Sequence, residues 1–359
     1  MPKILSISTI QPRYEVTQDE AVELTRSLFS KRFKDINRLL TVFQNGDIEK
    51  RHVCMPLDWY GETHDFEERN DLYIEHALEY GVQAVKDCLQ GDGWLEEPLF
   101  PDAVDAIFFI SSSGIATPSI DARIMNQLPF RDDTKRIPIW GLGCAGGAAG
   151  LSRAYEYCLA FPEANVLVLS IELCSLSFQK DDYSKSNLVG VSLFSDGVAC
   201  ALVSGDRSPV RALKPMPAIL TTTSKLMPDS EEVMGWDVKN NGLHVIFSKS
   251  IPSIITKWLG PFVHEFLENE GLTKEEITHF VAHPGGKKVL QAYEEALGFD
   301  PTMTNVSREI LRENGNMSSP TILYVLERFM QQGPAAGEYG VLAALGPGFC
   351  GELLLAKWE

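Results

Sequence analysis

The chain lacks the marks of several protein classes. No apolar run approaches the length of ~18 residues that crosses a bilayer, so stable membrane insertion is not expected. The opening Met-Pro-Lys-Ile-Leu-Ser-Ile-Ser has no long apolar signal region and reads as a first strand. The seven cysteines are odd in number and form no CxxC pair, which argues against a disulfide framework or zinc cluster and for a reducing, cytoplasmic setting. His52, His64 and His76 are too widely spaced to suggest a local metal site. Positive charge is in deficit: 32 Lys and Arg face 49 Asp and Glu, a net −17. A general nucleic-acid binder needs the opposite balance. A local cluster of cations would still hold an anionic ligand.

What is present is ordinary material for a large core, with 44% hydrophobic and 23% charged residues in 359. That length suggests two domains or one duplicated domain. Helical spacing runs through 18–45 and 66–90. Strand-like runs follow at Val104–Ile110, Ile137–Trp140, Val166–Ile171 and Val198–Val203, with a helix over Ala145–Phe161. Further on come a strand at Leu243–Phe247, a helix at Ile251–Asn269, a strand at Ile277–Ala282, and helices at Lys287–Leu297 and Ser318–Gln331. Strands at Val341–Leu345 and Leu353–Trp358 close the chain. Short apolar runs alternating with helices predict buried parallel strands in an α/β protein. Ser204–Asp237, rich in Pro, Thr and Ser with few strong patterns, places a boundary near residue 205, dividing the chain into halves 1–205 and 206–359 of similar element order.

Three motifs carry the chemistry: Gly-Leu-Gly-Cys-Ala-Gly-Gly around Cys144, His-Pro-Gly-Gly at His283, and Gly-Asn-Met-Ser-Ser at Asn316. Each marks the end of an apolar run before small residues and a helix. Cys144 sits at a helix start, where unpaired N–H groups and the helix dipole favour thiolate. His283 sits at the C-terminal end of a strand, where open α/β sheets bind ligands. His279, in the same strand, lacks the glycines and is given no role. Asn316 is an amide donor in a stretch that also suits helix capping. A thiol, an imidazole and an amide are the parts needed to hold an acyl group and stabilise an enolate. They point to a carbon–carbon bond-forming acyltransferase acting on coenzyme A thioesters. Gly141, Gly143 and Gly146 also spell a GxGxxG, with Glu172 in the place of a ribose-binding acid. A dinucleotide site would leave His283 and Asn316 without a task.

With these motifs the chain resembles the type III polyketide synthases of the chalcone and stilbene synthase superfamily. Leu193-Phe194-Ser195-Asp196-Gly197, Met234-Gly235-Trp236-Asp237 and Gly346-Pro347-Gly348 extend the likeness over nearly the whole length. Glu172–Phe178 and Ala344–Phe349 make it most similar to bacillus-type alkylpyrone synthases. The resemblance implies an α/β thiolase fold with duplicated αβαβα halves in a five-layered core, and a homodimer. It implies a catalytic Cys144, His283 and Asn316, with His283 pairing the Cys144 thiolate as imidazolium. Phe194 takes the position of a gatekeeper and Val245 that of a second gating phenylalanine, where a smaller residue widens the path for a long starter. Thr117 replaces a methionine that in plant members reaches into the partner subunit. Cys174, Ser177 and Ser318 fall on pocket-lining positions, and their small size suits a long acyl chain. Ser112, Glu172 and Ser318 fall on a hydrogen-bond network that promotes aldol closure. For coenzyme A, Arg38 matches a basic residue at the tunnel mouth, while Thr41 and Asn45 replace two others. Lys31, Arg32, Lys34, Lys287 or Lys288 can compensate, and Gly285 and Gly286 allow close approach.

The implied activity is loading of a fatty acyl-CoA on Cys144, extension with malonyl-CoA, and closure to an alkylpyrone or alkylresorcinol. No cofactor is required. One rival is a single-condensation ketoacyl synthase using a carrier protein. Another, of a different class, is a non-catalytic acyl-binding protein of the same fold.

Overall fold

The computed structural model describes residues 1–30 and 36–359. Among them, nine strands form one mixed sheet that divides at its middle into two like parts. In the first part β1 (Lys3–Ile10) pairs antiparallel with β7 (Asp196–Ser204), which pairs antiparallel with β6 (Asn165–Leu173). β4 (Ala106–Ile110) then lies parallel to β6 and to the edge strand β5 (Lys135–Ile139). In the second part β8 (Pro217–Leu226) pairs antiparallel with β13 (Cys350–Trp358), and β13 with β12 (Tyr339–Gly346). β11 (Ile277–Ala282) lies parallel to β12. The sequence of pairings, antiparallel, antiparallel, parallel, is the same in both, and β1 and β8 meet at Lys3 and Ala218.

Helices complete five layers. α3 (Phe66–Gln90) covers β1, β6 and β7 from outside, and α7 (Ile251–Asn269) with α8 (Lys287–Leu297) covers the second part. Between them run α5 (Gly146–Ala160) and α10 (Thr321–Gln332), which touch each other and strands of both parts. Gly147 makes that contact possible: a Cβ there would stand 2.3 Å from the Ser319 carbonyl oxygen and 2.8 Å from Ile322. This is the thiolase architecture that the resemblance implies.

Smaller elements frame the site. These are the ribbon β2 (Tyr14–Thr17) with β3 (Lys50–Val53), the hairpin β9 (Met234–Lys239) with β10 (Gly242–Phe247), and five helices. The helices are α1 (Gln18–Phe29), α2 (Ile36–Gln44), α4 (Ile120–Met125), α6 (Lys185–Leu193) and α9 (Asn305–Asn314).

Two expectations are corrected. The strands are not all parallel, because β7 and β13 run against their neighbours at the centre of each part. β6 and β7 are buried along their whole length, and strands covered on both faces show no period-2 alternation that would betray direction. The pattern-poor stretch Ser204–Asp237 contains β8, whose Thr-rich second half is only partly buried and so carries little hydrophobic signal.

Candidate active site

Cys144 lies in a single 3₁₀ turn, Gly143–Ala145, that leads into α5. Gly143 has φ +45°, and a Cβ on it would stand 2.8 Å from Pro347. The end of β12 presses on the same turn, since a Cβ on Gly346 would be 2.4 Å from the Leu142 carbonyl oxygen. The thiol is 6% exposed. It donates toward Ser318 Oγ at 3.6 Å and Asn316 Oδ1 at 4.0 Å.

Asn316 is 1% exposed and tied down on every side. Its Oδ1 accepts from Ser318 N at 2.8 Å, and its Nδ2 donates to the Gly285 carbonyl at 3.2 Å, leaving a second amide hydrogen for another acceptor. Its backbone N donates to Leu193 O, and its O accepts from Ser195 N, both at 2.9 Å. Ser318 adopts φ +60°, which turns its hydroxyl toward Cys144.

His283 extends β11 and donates its backbone N–H to Ala343 O on β12 at 2.8 Å. It is 2% exposed, and both ring nitrogens are buried without a hydrogen-bond partner. A doubly orphaned imidazole is costly, and such groups call for an explanation in function. The structure therefore brings Cys144 and Asn316 into contact, ties Asn316 to the turn two residues after His283, and joins His283 to the cysteine turn through β12.

Burial acts on both ionisable members of the site. Burial pushes the Cys144 thiol up to about 11, against smaller opposite pulls from Ser318 and Asn316. Burial alone pulls His283 down to about 3. Both shifts favour the uncharged forms, since burial penalises thiolate and imidazolium alike.

Glu172, at the end of β6, is also sealed, and burial raises its carboxyl to about 7. Both its oxygens accept from Ser112 N, at 3.1 and 3.0 Å, and Oε1 accepts from Ser319 Oγ at 2.9 Å. Ser112 Oγ in turn accepts from Gly143 N at 3.2 Å, which links the carboxyl to the cysteine turn. Ser319 thus occupies the place expected for Ser318, because the left-handed turn at Ser318 sends adjacent hydroxyls to opposite sides. The same contacts consume Glu172 and leave the GxGxxG glycines leading to Cys144, which removes the dinucleotide reading.

Phe194 follows α6 and is half-buried. Its ring stands 6.2 Å from that of Trp236 at 42°. Val245 on β10 is registered opposite Trp236, and a Cβ on Gly190 would meet Val245 at 3.1 Å and Phe194 at 3.5 Å. The space freed by a small residue at 245 therefore lies beside an indole. Trp236 belongs to a motif that matched the family but carried no role from it. Cys174 is 3% exposed, with burial holding its thiol well above the usual range. Ser177 donates to Cys174 O at 2.6 Å and lines a small void with Ser113, Leu176 and Leu243. Thr117 is exposed, on a groove with Ile115 and Trp140. His279 pairs with Glu338 at 2.7 Å and packs on Trp358, as befits a residue without a chemical task.

A pocket of about 560 Å³ opens where α2, α6, the end of β10 and the start of α8 meet. Arg38, Thr41 and Asn45 line one side, and Gly285, Gly286 and Lys288 another. Lys185, Lys249 and Lys287 also line it, while no Asp or Glu among the described residues does. In a chain with 49 acidic residues, five cations lining one pocket mark a place for an anion. Lys287 is engaged by Asp47 at 2.8 Å, whereas no ion pair holds Lys185, Lys249 or Lys288 among the described residues. Lys31, Arg32 and Lys34 lie outside the described residues. Lys185 and Lys249 carry no joint sequence signal, because they are far apart along the chain and share a pocket wall only in the fold. Cys144, His283 and Asn316 are not on the pocket wall. Gly285, which is, accepts the Asn316 hydrogen bond.

Fold and site together define a condensing enzyme of the thiolase type. Residues 3–207 match the family described as "Chalcone and stilbene synthases, N-terminal domain", and residues 218–357 match "Chalcone and stilbene synthases, C-terminal domain". The chain belongs to this family, the type III polyketide synthases, and is an acyltransferase. It is 51% identical over 362 residues to "Putative chalcone synthase" of Bacillus subtilis (strain 168), covering 100% of this chain and 99% of the relative. It is 30% identical to "Alpha-pyrone synthesis polyketide synthase-like Pks18" of Mycobacterium tuberculosis (strain ATCC 25618 / H37Rv), over 98% of this chain and 90% of that one. The crystal structure of 1,3,6,8-tetrahydroxynaphthalene synthase from Streptomyces coelicolor A3(2) superposes with a TM-score of 0.92 at 31% identity, covering 99% of both chains.

Proposed function

We propose that this type III polyketide synthase loads a fatty acyl group from coenzyme A onto Cys144, extends it with malonyl-CoA and releases an alkylpyrone. The observation that carries the site assignment is the sealed cluster of a thiol, an orphaned imidazole and an anchored amide, one hydrogen bond from a cation-lined pocket. In this reading Arg38, Lys185, Lys249 and Lys288 hold the coenzyme A phosphates, and Gly285 and Gly286 let the pantetheine pass. The neutral His283 takes the Cys144 proton as sulfur attacks the thioester, so the ion pair forms only during reaction. Malonyl-CoA then loses carbon dioxide. His283 and the second Nδ2 hydrogen of Asn316 hold the enolate oxygen. The enolate carbon attacks the acyl group on Cys144. Phe194 and Trp236 shield the site from water. The cycle uses no cofactor. Glu172, held by Ser112 and Ser319, keeps a proton near neutrality and leaves aldol closure to a resorcinol as the competing outcome.

The same reading places the enzyme in the cytoplasm as a homodimer of chains divided near residue 205. The groove around Thr117, with Ile115 47% and Trp140 54% exposed, is the face for the partner. A pyrone is favoured by the likeness to the alpha-pyrone relative and a long starter by the small Cys174, Ser177, Ser318 and Val245.

Acyl-CoAs of graded length, incubated with malonyl-CoA and followed by mass spectrometry, test the assignment. Long-chain starters should give alkylpyrones. In Val245→Phe the ring would crowd Gly190 and Trp236, and kcat/KM for the longest starters should fall by at least about tenfold. An unchanged length profile would reject the path past Val245. Asn316→Ala should slow malonyl-CoA decarboxylation by about 10²–10³-fold while leaving starter loading largely intact. Decarboxylation at the wild-type rate would remove Asn316 from the enolate.

A further inference from the structure

Arg51 lies on β3, outside every motif, and is 3% exposed. Burial lowers its guanidinium to about 10, so it remains charged at neutral pH, and no carboxylate pairs with it among the described residues. Its acceptors are three backbone oxygens and one side-chain amide oxygen instead. Nη1 donates to Val191 O at 2.7 Å and Phe194 O at 3.2 Å, and Nη2 donates to Ser192 O at 3.0 Å and to Gln18 Oε1. Val191 and Ser192 belong to the last turn of α6, whose carbonyls lack helical partners and favour a cation.

The strand continues the work. Ser195 Oγ donates to His52 O at 3.1 Å, and Cys54 N donates to Asp196 Oδ2 at 2.8 Å. Every residue from 194 to 196 is thereby fixed to β3 or the residue just after it. On its other side the segment is bridged to Asn316 through Leu193 O and Ser195 N. Arg51 Cβ also sits 3.5 Å from where a Cβ on Gly315 would stand, against the turn before Asn316. Gln18, at the far end of the guanidinium, donates its Nε2 to Phe43 O at 2.8 Å, in the helix that lines the pocket mouth.

We infer that Arg51 is a positioning residue for condensation: its fork sets the Phe194 gate in register with Asn316 and, through Gln18, with the wall of the pocket mouth. The inference rests on the reaction proposed above. With the fork in place, the enolate formed from malonyl-CoA meets the acyl group on Cys144. With the register loosened, decarboxylation still occurs, but the enolate takes a proton from water and leaves as acetyl-CoA, one carbon dioxide being released for each malonyl-CoA consumed.

Arg51→Lys keeps the charge and removes the planar fork. Loading of labelled acyl-CoA on Cys144 should stay within about twofold of wild type, while condensed product falls by about tenfold and the ratio of acetyl-CoA to product rises. Gln18→Leu, which leaves the three carbonyl contacts in place, should raise the same ratio by a smaller factor. A defect that was only structural would lower loading, decarboxylation and condensation in proportion and leave the ratio alone. An unchanged ratio in Arg51→Lys overturns the inference. If that variant does not fold, an unchanged ratio in Gln18→Leu does so. A wild-type enzyme that loads acyl-CoA and decarboxylates malonyl-CoA upholds the reaction whichever way the ratio falls.

Discussion

Replacing Cys144 by alanine should abolish product, with loss of at least about 10³-fold in turnover, because no other nucleophile among the described residues is activated there. Among the described residues the thiol's polar neighbours are Asn316 and Ser318. Ser318 is a weaker nucleophile with no base bonded to it. The other six cysteines are buried and free, and those near the site, Cys174 and Cys350, are held protonated by burial. Mass spectrometry of the intact protein after incubation with acyl-CoA should show the acyl adduct in wild type and none in Cys144→Ala. Removing a small buried side chain at this point costs little packing, so thermal stability should change by about 1 kcal/mol or less. An acyl adduct on the alanine variant would displace Cys144 from the centre of the mechanism.

His283→Gln should silence the thiol. Without a base, the burial that raises Cys144 to about 11 governs its reactivity alone. The thiolate then falls to roughly one part in 10⁴ at pH 7. Since a raised thiol pKa means the anion appears only as pH climbs, labelling of Cys144 by iodoacetamide should increase about tenfold per unit between pH 7 and 10 in the variant. In wild type the imidazole accepts the proton within the site, and labelling at pH 7 should be faster by about 10²-fold or more. Peptide mapping separates Cys144 from the other thiols. Equal rates at pH 7 in the two proteins would show that the imidazole does not activate the sulfur.

The local sequence predicted the frame where periodicity and caps agree. Ile251–Asn269, Ile277–Ala282 and Lys287–Leu297 are found with the expected bounds, the last closed by Gly298 in the left-handed conformation. The Thr-rich β8 and the polar helix α9 escaped because little of their signal is apolar. Strand direction escaped because fully buried strands look alike. At the site, the three motif residues were visible as endings of strands before glycines. The exchange of Ser318 for Ser319 beside Glu172 was not, since it depends on one positive φ. Nor was Arg51: in Ile-Glu-Lys-Arg-His-Val nothing separates a buried guanidinium from the exposed Lys50 that pairs with Glu15 at 2.6 Å beside it. A helix start can be read from glycines, but the depth of burial around it cannot.

The cation-lined mouth has a kinetic consequence. A molecule of net charge −17 repels polyanions at long range, yet five cations gather at one opening, one of them paired with Asp47. At physiological ionic strength their field reaches only ~8 Å, so capture is a short-range event at the rim rather than steering from afar. Salt would therefore act in two opposed ways, easing approach to the acidic body while weakening the grip at the entrance.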